Sequence, residues 1–521
     1  MVRTLSDVVA RERLGPLAGA VEAAAGDLVA RDALHRMWTG DHTLWQDDPR
    51  EAADRLGWLA VPGQMVDEVA DLEAFARAAA ADGLRHAVLL GMGGSSLFPE
   101  VLWRTFGASP GCLDLRVLDT TDPAAIARVA SEVDLDACLF VAASKSGTTI
   151  EMSSQLAYFW ELTGGDGRRF VAITDAHTEL ARLGHTRGFR RVFENRSDIG
   201  GRYSALSYFG LVPAALIGVD LAALLAGVAS AAESTTAPEL PVEDHPALRL
   251  GAAIAVAALQ GRDKLTLVLP HEIGTFGLWL EQLVAESTGK EGTGIVPVTG
   301  EHLGRVREYG DDRFFVSAGY RPGLDDLAAA GQPVVELAYS HPLELGGLVM
   351  VWEQAVALAG AVLGINPFDQ PDVAAAKAAT NAVLDKGLPA IDVVPLAALV
   401  DQVRPGDYLA LQAYVDPGDE ALLARIHTAR MVLRDRLKVA TTLGIGPRYL
   451  HSTGQLHKGG PPSGVFVQVV GDDALDVAIP GAGYGFSTLK QAQAAGDLLS
   501  LQERGLRAGR VRLAELLEVT A

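Results

Sequence analysis

Short apolar runs recur along the chain, each closed by a loop of glycines and hydroxyl side chains and followed by a stretch with helical spacing. His86 to Leu90 reads as a buried strand, Gly91 to Ser96 as its loop, and a helix starts at Leu97. Leu115 to Leu118 and Pro123 to Val133 repeat the pair. Ala137 to Val141 is a third strand, Ala142 to Thr149 its loop, and Met152 to Trp160 a helix; Phe170 to Thr174 is a fourth strand. This alternation predicts a doubly wound parallel sheet over 66–240, with any ligand beyond the carboxyl ends of the strands.

A second α/β unit is expected over 241–385. Its strands are Leu265 to Leu269, Arg313 to Val316 and Val334 to Leu337, and its helices are Thr275 to Ser287 and Gly346 to Leu363. Residues 1–65 are Ala-rich and read as an N-terminal helical arm ended by Pro62-Gly63. After the turn Arg404-Pro405-Gly406-Asp407, residues 386–521 read as a small C-terminal α+β domain, with a ferredoxin-like arrangement as one option. Its strands are Tyr408 to Tyr414, Val465 to Val470 and Arg510 to Leu513; its helices are Glu420 to Lys438 and Phe486 to Arg504.

Composition narrows the partners. The chain has 521 residues, 49% hydrophobic and 21% charged, with a net charge of −21. That balance argues against nonspecific nucleic-acid binding. Two cysteines are too few for a disulfide framework or a zinc cluster. The apolar stretch Leu211 to Ala232 is interrupted by Pro213, Asp220 and Ser230, so a core helix is expected there and no membrane span. Met1 to Leu14 lacks the apolar region of a signal peptide, and a cytoplasmic location is the expectation.

The chemistry-bearing stretch is Ser144-Lys145-Ser146-Gly147-Thr148-Thr149. An ordinary N-cap needs one hydroxyl; this loop brings four to the start of a helix, where free N–H groups and the dipole favour an anion. Gly91 to Ser96 lacks the third glycine of a dinucleotide fingerprint and the lysine of a P-loop. Two Gly/Ser loops in one sheet suit a small phosphorylated metabolite.

Gly91-Met92-Gly93-Gly94-Ser95-Ser96 together with Ser144 to Glu151 resembles the paired phosphate loops of sugar isomerase (SIS) domains. Asp198 to Ser204, Glu286-Ser287-Thr288-Gly289-Lys290, and Asn366 to Val373 with Lys377 are similar to three further segments of the glucose-6-phosphate isomerase family. The resemblance implies two SIS-type domains and conversion of glucose 6-phosphate to fructose 6-phosphate in glycolysis and gluconeogenesis. It implies no cofactor, and a homodimer is the expectation because members commonly dimerise. None of the 12 histidines sits in a metal-binding spacing, and no metal is expected.

Isomerisation through an enediol needs one carboxylate to move a proton between C1 and C2, a role that falls to Glu286. Arg202 would stabilise the negative charge that develops on the enediol oxygens. The resemblance places Gly94, Ser95, Ser144, Ser146 and Thr149 around the phosphate, with Lys145 contributing through its backbone N–H. It also places Gln370 and Lys377 on the site. A ring-opening histidine would lie between the Glu286 and Gln370 segments in most of the family, but His302 and His341 there lack its context. His451, among hydroxyl and amide side chains, is the first choice and His302 the second. That order is similar to the isomerase half of fused transaldolase–glucose-6-phosphate isomerase proteins, although the N-terminal segment is too short for a transaldolase barrel. Two alternatives stay open: a non-catalytic SIS regulator, and an isomerase that also accepts mannose 6-phosphate.

Overall fold

The structure is a computed structural model. It describes residues 9–236 and 245–520, with backbone only for 9–10, 233–236 and 373–377. Fourteen strands among the described residues form three sheets. They are β1 (Val9–Arg13), β2 (His86–Leu90), β3 (Asp114–Leu118), β4 (Cys138–Ala143), β5 (Phe170–Asp175), β6 (Arg191–Asn195) and β7 (Lys264–Val268). The remainder are β8 (Val296–Val298), β9 (Arg313–Ala318), β10 (Val334–Leu337), β11 (Tyr408–Tyr414), β12 (Ala440–Ile445), β13 (Gly464–Val470) and β14 (Arg507–Arg510). Six helices bear on the site: α1 (Ile150–Leu162), α2 (Phe276–Thr288), α3 (Leu345–Leu363), α4 (Val373–Lys386), α5 (Glu420–Leu437) and α6 (Phe486–Glu503).

The first sheet has the order β3-β2-β4-β5-β6 and is parallel throughout. Strands β2, β4 and β5 are apolar runs because helices cover both faces of the sheet. The chain reverses direction of travel across the sheet at β2 and β4, so their two carboxyl-end loops lie side by side. In the second sheet, β1-β10-β9-β7-β8, only β1 runs antiparallel. The N-terminal arm is therefore not wholly helical. Its strand adds to an edge more than 300 residues away, held by the Arg13–Glu336 ion pair. Pro62 does not end the arm either; it sits in the first turn of a helix, Val61–Ala81, where a missing N–H costs nothing.

The third sheet, β12-β11-β13-β14, is also parallel, with a helix between each strand and the next. The α/β reading thus extends to the C-terminal part, and the antiparallel, ferredoxin-like version of the α+β expectation does not hold. Parallel neighbours need crossovers, and α5 and α6 supply two of them. Strand β12 falls where the sequence pattern suggests only a loop.

Helix α3 belongs to the one segment among the described residues, Pro342–Leu363, long and apolar enough to cross a membrane. Its most apolar window is 94% buried inside the protein, as the core helix between the first two sheets' helical layers. The stretch Leu211 to Ala232 is split between two helices at Gly218, which has φ +79.

Candidate active site

The loop after β4 is knitted by its own hydroxyls. Ser144 Oγ lies 2.8 Å from Thr149 Oγ1 and accepts from the Gly147 N–H at 3.1 Å, while Ser146 Oγ accepts from the Thr148 N–H at 3.3 Å. Gly147 takes φ +70 and packs against Thr178 and Leu180, which no side chain would tolerate. Thr149 is the N-cap of α1 and makes no side-chain capping bond, at a helix start whose dipole favours an anion. The Lys145 ammonium pairs with Asp175 and donates to the Ser197 carbonyl at 2.9 Å.

In the loop after β2, Ser96 is buried and its hydroxyl is shared between the Gly93 carbonyl and Asp119 Oδ2. Ser95 precedes it at the mouth of the helix. The two glycines are there for approach. A Cβ on Gly94 would stand 1.9 Å from the Gly201 carbonyl oxygen, and one on Gly93 would stand 2.8 Å from the His451 carbonyl oxygen. This loop therefore touches both the Arg202 segment and the His451 segment directly.

Arg202 and Glu286 meet in the interior. Arg202 Nη1 lies 3.2 Å from Glu286 Oε1, with both side chains buried. Arg202 Nε donates to Ser287 Oγ at 2.9 Å, Nη2 to the carbonyls of Pro367 and Asp369 at 2.8 Å each, and Nη1 to Gln370 Oε1 at 3.4 Å. Lys290 grips the same segment, donating to the Asn366 and Asp369 carbonyls at 2.7 Å and pairing with Asp369 Oδ1 at 2.5 Å. Burial, reinforced by Arg202, pulls the Lys290 ammonium down to about 8. The Glu286 segment and the Gln370 segment, about 80 residues apart in sequence, are thus locked together by two cations.

His451 ends a short turn, Arg448–His451, that follows β12. Its Nε2 lies 2.9 Å from Glu151 Oε1, and Gln493 Nε2 on α6 donates to the same oxygen at 2.7 Å. The Gln493 amide is oriented in turn by the Thr121 hydroxyl at 2.7 Å. Gln282 Nε2 donates both to the His451 carbonyl at 2.8 Å and to Glu286 Oε2 at 3.0 Å. One amide therefore spans the histidine segment and the carboxylate.

The structure brings Glu286, Arg202, Gln370, His451 and both Gly/Ser loops into one contiguous set. His302 is elsewhere: its ring packs edge-on against His427 of α5 at 5.3 Å, and its carbonyl accepts from Arg434. Lys377 lies on α4, but its side chain is outside the described residues. His457, beside the site histidine in sequence, is buried in a short helix, and burial holds its imidazole down at about 3. Among the described residues no group of three or more His, Cys, Asp or Glu could hold a metal ion.

Three partners carry no role in the sequence reading. Gln282 and Glu286 stand at i, i+4 on one helix, a spacing that places them on the same face. Glu151 closes the hydroxyl-loop motif, so its position was marked but its partner was not. Gln493 is 342 residues from Glu151, and no local pattern marks it.

Residues 64–302 match the family model of phosphoglucose isomerase. A glucose-6-phosphate isomerase of Citrifermentans bemidjiense is 30% identical over 424 residues, covering 70% of this chain and 78% of that protein. The chain belongs to the phosphoglucose isomerase family. A glucose-6-phosphate isomerase of Cyanothece sp. is 29% identical over 63% of this chain and 70% of its own length. Among solved structures, a hypothetical protein of Thermus thermophilus superposes with TM-score 0.62 at 26% identity, covering 72% of this chain and 100% of that one. A glucose-6-phosphate isomerase of Chlamydia trachomatis shares the fold, with TM-score 0.57 at 21% identity over 70% of this chain and 86% of that one. The phosphoglucose isomerase match over 64–302 takes in both Gly/Ser loops, Arg202 and Glu286, while Gln370 and His451 lie beyond it.

Proposed function

We infer that this member of the phosphoglucose isomerase family interconverts glucose 6-phosphate and fructose 6-phosphate, a step of glycolysis and gluconeogenesis. The observation that carries the reading is the buried Glu286–Arg202 pair at 3.2 Å, joined through Gln282 to the histidine segment and walled by the Gly94 loop.

The phosphate sits on Ser95, Ser144, Ser146 and Thr149, with the backbone N–H groups of Gly94 and Lys145 and the start of α1. Anchored there, C1 and C2 present themselves to one carboxylate. His451, with Nε2 on Glu151, exchanges a proton with the ring oxygen through its other nitrogen and opens the ring, aided by Lys377. Glu286 then removes the proton from C2 of the aldose and returns it to C1, and Arg202 offsets the charge on the enediol oxygens. Gln370, held by Arg202, contacts the sugar. A sugar-phosphate-binding regulator would need the loops but not this carboxylate–guanidinium centre. The homodimer implied by the family resemblance and a cytoplasmic location belong to the same proposal; light scattering in solution tests the first.

Purified protein is expected to convert fructose 6-phosphate to glucose 6-phosphate without added metal. Glu286→Gln should lower kcat by about 10²–10⁴-fold while the sugar phosphate still binds. A fully active Glu286→Gln enzyme removes Glu286 from the role of base. Mannose 6-phosphate in the same assay measures epimer choice.

A further inference from the structure

The site histidine arrives from the third sheet, whereas the phosphate loops belong to the first. Its placement therefore depends on how the two sheets are registered. Three side-chain tethers reach the Arg448–His451 turn from the first two sheets' units. Within the third, the buried Tyr449 hydroxyl donates to Asp497 Oδ2 of α6 at 2.6 Å and lies 3.1 Å from the Tyr414 hydroxyl. Glu151, at the start of α1, holds the imidazole, and Gln282 of α2 holds the His451 carbonyl. Both act on residue 451 itself. The third tether acts at the other end. Arg448 Nη2 donates to Asp119 Oδ1 at 2.7 Å, and its Nε lies 2.7 Å from Oδ2. Asp119 directly follows β3, is almost wholly buried, and accepts from the Ser96 hydroxyl at 3.3 Å. Ser96 is the neighbour of Ser95 in the first Gly/Ser loop.

We propose that Asp119 and Arg448 are a positioning pair that registers the His451 turn on the phosphate loop. The proposal rests on the isomerase reading above and deepens it. Neither side chain meets the sugar. Arg448 makes one hydrogen bond to this carboxylate, through Nη2, and the close approach of Nε to Oδ2 adds ion-pair attraction without a second hydrogen bond. Because Asp119 Oδ2 also holds Ser96, the loop that seats the phosphate and the turn that carries the ring-opening group share one carboxylate. With Glu151 and Gln282, the pair ties both ends of the turn, residues 448 and 451, to the elements that carry the phosphate loops and Glu286.

The test separates ring opening from proton transfer. 5-Deoxyfructose 6-phosphate lacks the oxygen that closes the furanose ring, and its O6 is phosphorylated, so it stays open. Arg448→Met should lower kcat/KM for fructose 6-phosphate by about 10²-fold, the scale of a displacement near 1 Å. The rate with the 5-deoxy substrate should stay at the wild-type level. His451→Asn should give the same selective pattern, and Arg448→Lys should recover part of the loss. Since Arg448→Met leaves Asp119 buried without its cation, the double variant Asp119→Leu/Arg448→Met removes both charges of the pair and should fold while keeping the selective loss. Equal losses on both substrates, or full activity on both in the folded double variant, overturn the pair's role. Wild-type protein that isomerises neither substrate overturns the isomerase reading, and the pair's role with it.

Discussion

Glu281 stands next to the amide that joins His451 to Glu286, and its side chain is enclosed. Its carboxyl accepts from the Thr299 hydroxyl at 3.3 Å and the Ser452 hydroxyl at 3.4 Å, and faces Arg430 and Arg448. Burial outweighs these and raises its pKa from 4.5 to about 7. A carboxyl raised in the folded state binds extra protons there, so its stabilisation is complete below pH 4.5 and lost as pH rises through 7. Glu281→Gln does not titrate. Relative to the wild type, the variant should therefore gain about 2–4 kcal/mol of stability between pH 4 and pH 8. Urea midpoints across that range measure it, and a pH-independent difference between the two proteins would contradict this account.

At the scale of elements, the loop after β2 is the tightest joint of the site. The atoms facing Gly94 are the Gly201 carbonyl and the Arg202 backbone nitrogen, and neither can move like the end of a flexible side chain. Gly94→Ala should push the phosphate loop from the Arg202 segment. A cost of about 1–3 kcal/mol in stability is expected, with a fall of about 10²-fold in kcat/KM. Thermal melts and steady-state kinetics on one preparation give both numbers. Unchanged kinetics would mean that this contact does not seat the sugar. The opposite joint, between the Glu286 and Gln370 segments, relies on charge: Lys290 and Arg202 both donate to the Asp369 carbonyl.

Across the whole molecule, the third sheet is docked on the first by an apolar patch, a buried lysine and a half-buried ion pair. Ile479, Phe486 and Leu489 pack with Met152, Leu156 and Phe159. That puts C-terminal residues directly on α1, the helix that begins at the hydroxyl loop. Lys490 of α6, almost wholly buried, pairs with Asp122 at 2.8 Å and with Asp473, and Arg128 pairs with Asp416 at 2.8 Å. Removing one partner leaves a buried charge uncompensated, so Lys490→Met should cost about 3–5 kcal/mol. Asp122→Asn in the same chain should return part of it. Denaturant unfolding of the single and double variants reads the coupling; a strictly additive pair would show that Lys490 and Asp122 do not interact.

The apolar runs that became β2, β4 and β5 were legible because a strand buried on both faces needs an apolar string. The loops after β2 and β4 were legible because hydroxyls and glycines crowd the helix start, a local property. Arg202, Glu286 and Gln370 could be picked out because each lies inside a compact motif. Other features had no local mark. Strand β1 is short and charged, and becomes a strand only because β10 leaves an edge open to it. Strand β12 ends in glycine and half-buried residues, a weak pattern that pairing with β11 makes regular. His451 was marked by its hydroxyl and amide neighbours, but its partner Glu151, 300 residues away, and Gln493 beyond it were not. Periodicity reports what a residue's neighbours along the chain require. Which titratable groups meet is decided by how three sheets dock, through contacts that span hundreds of residues and leave no trace in spacing.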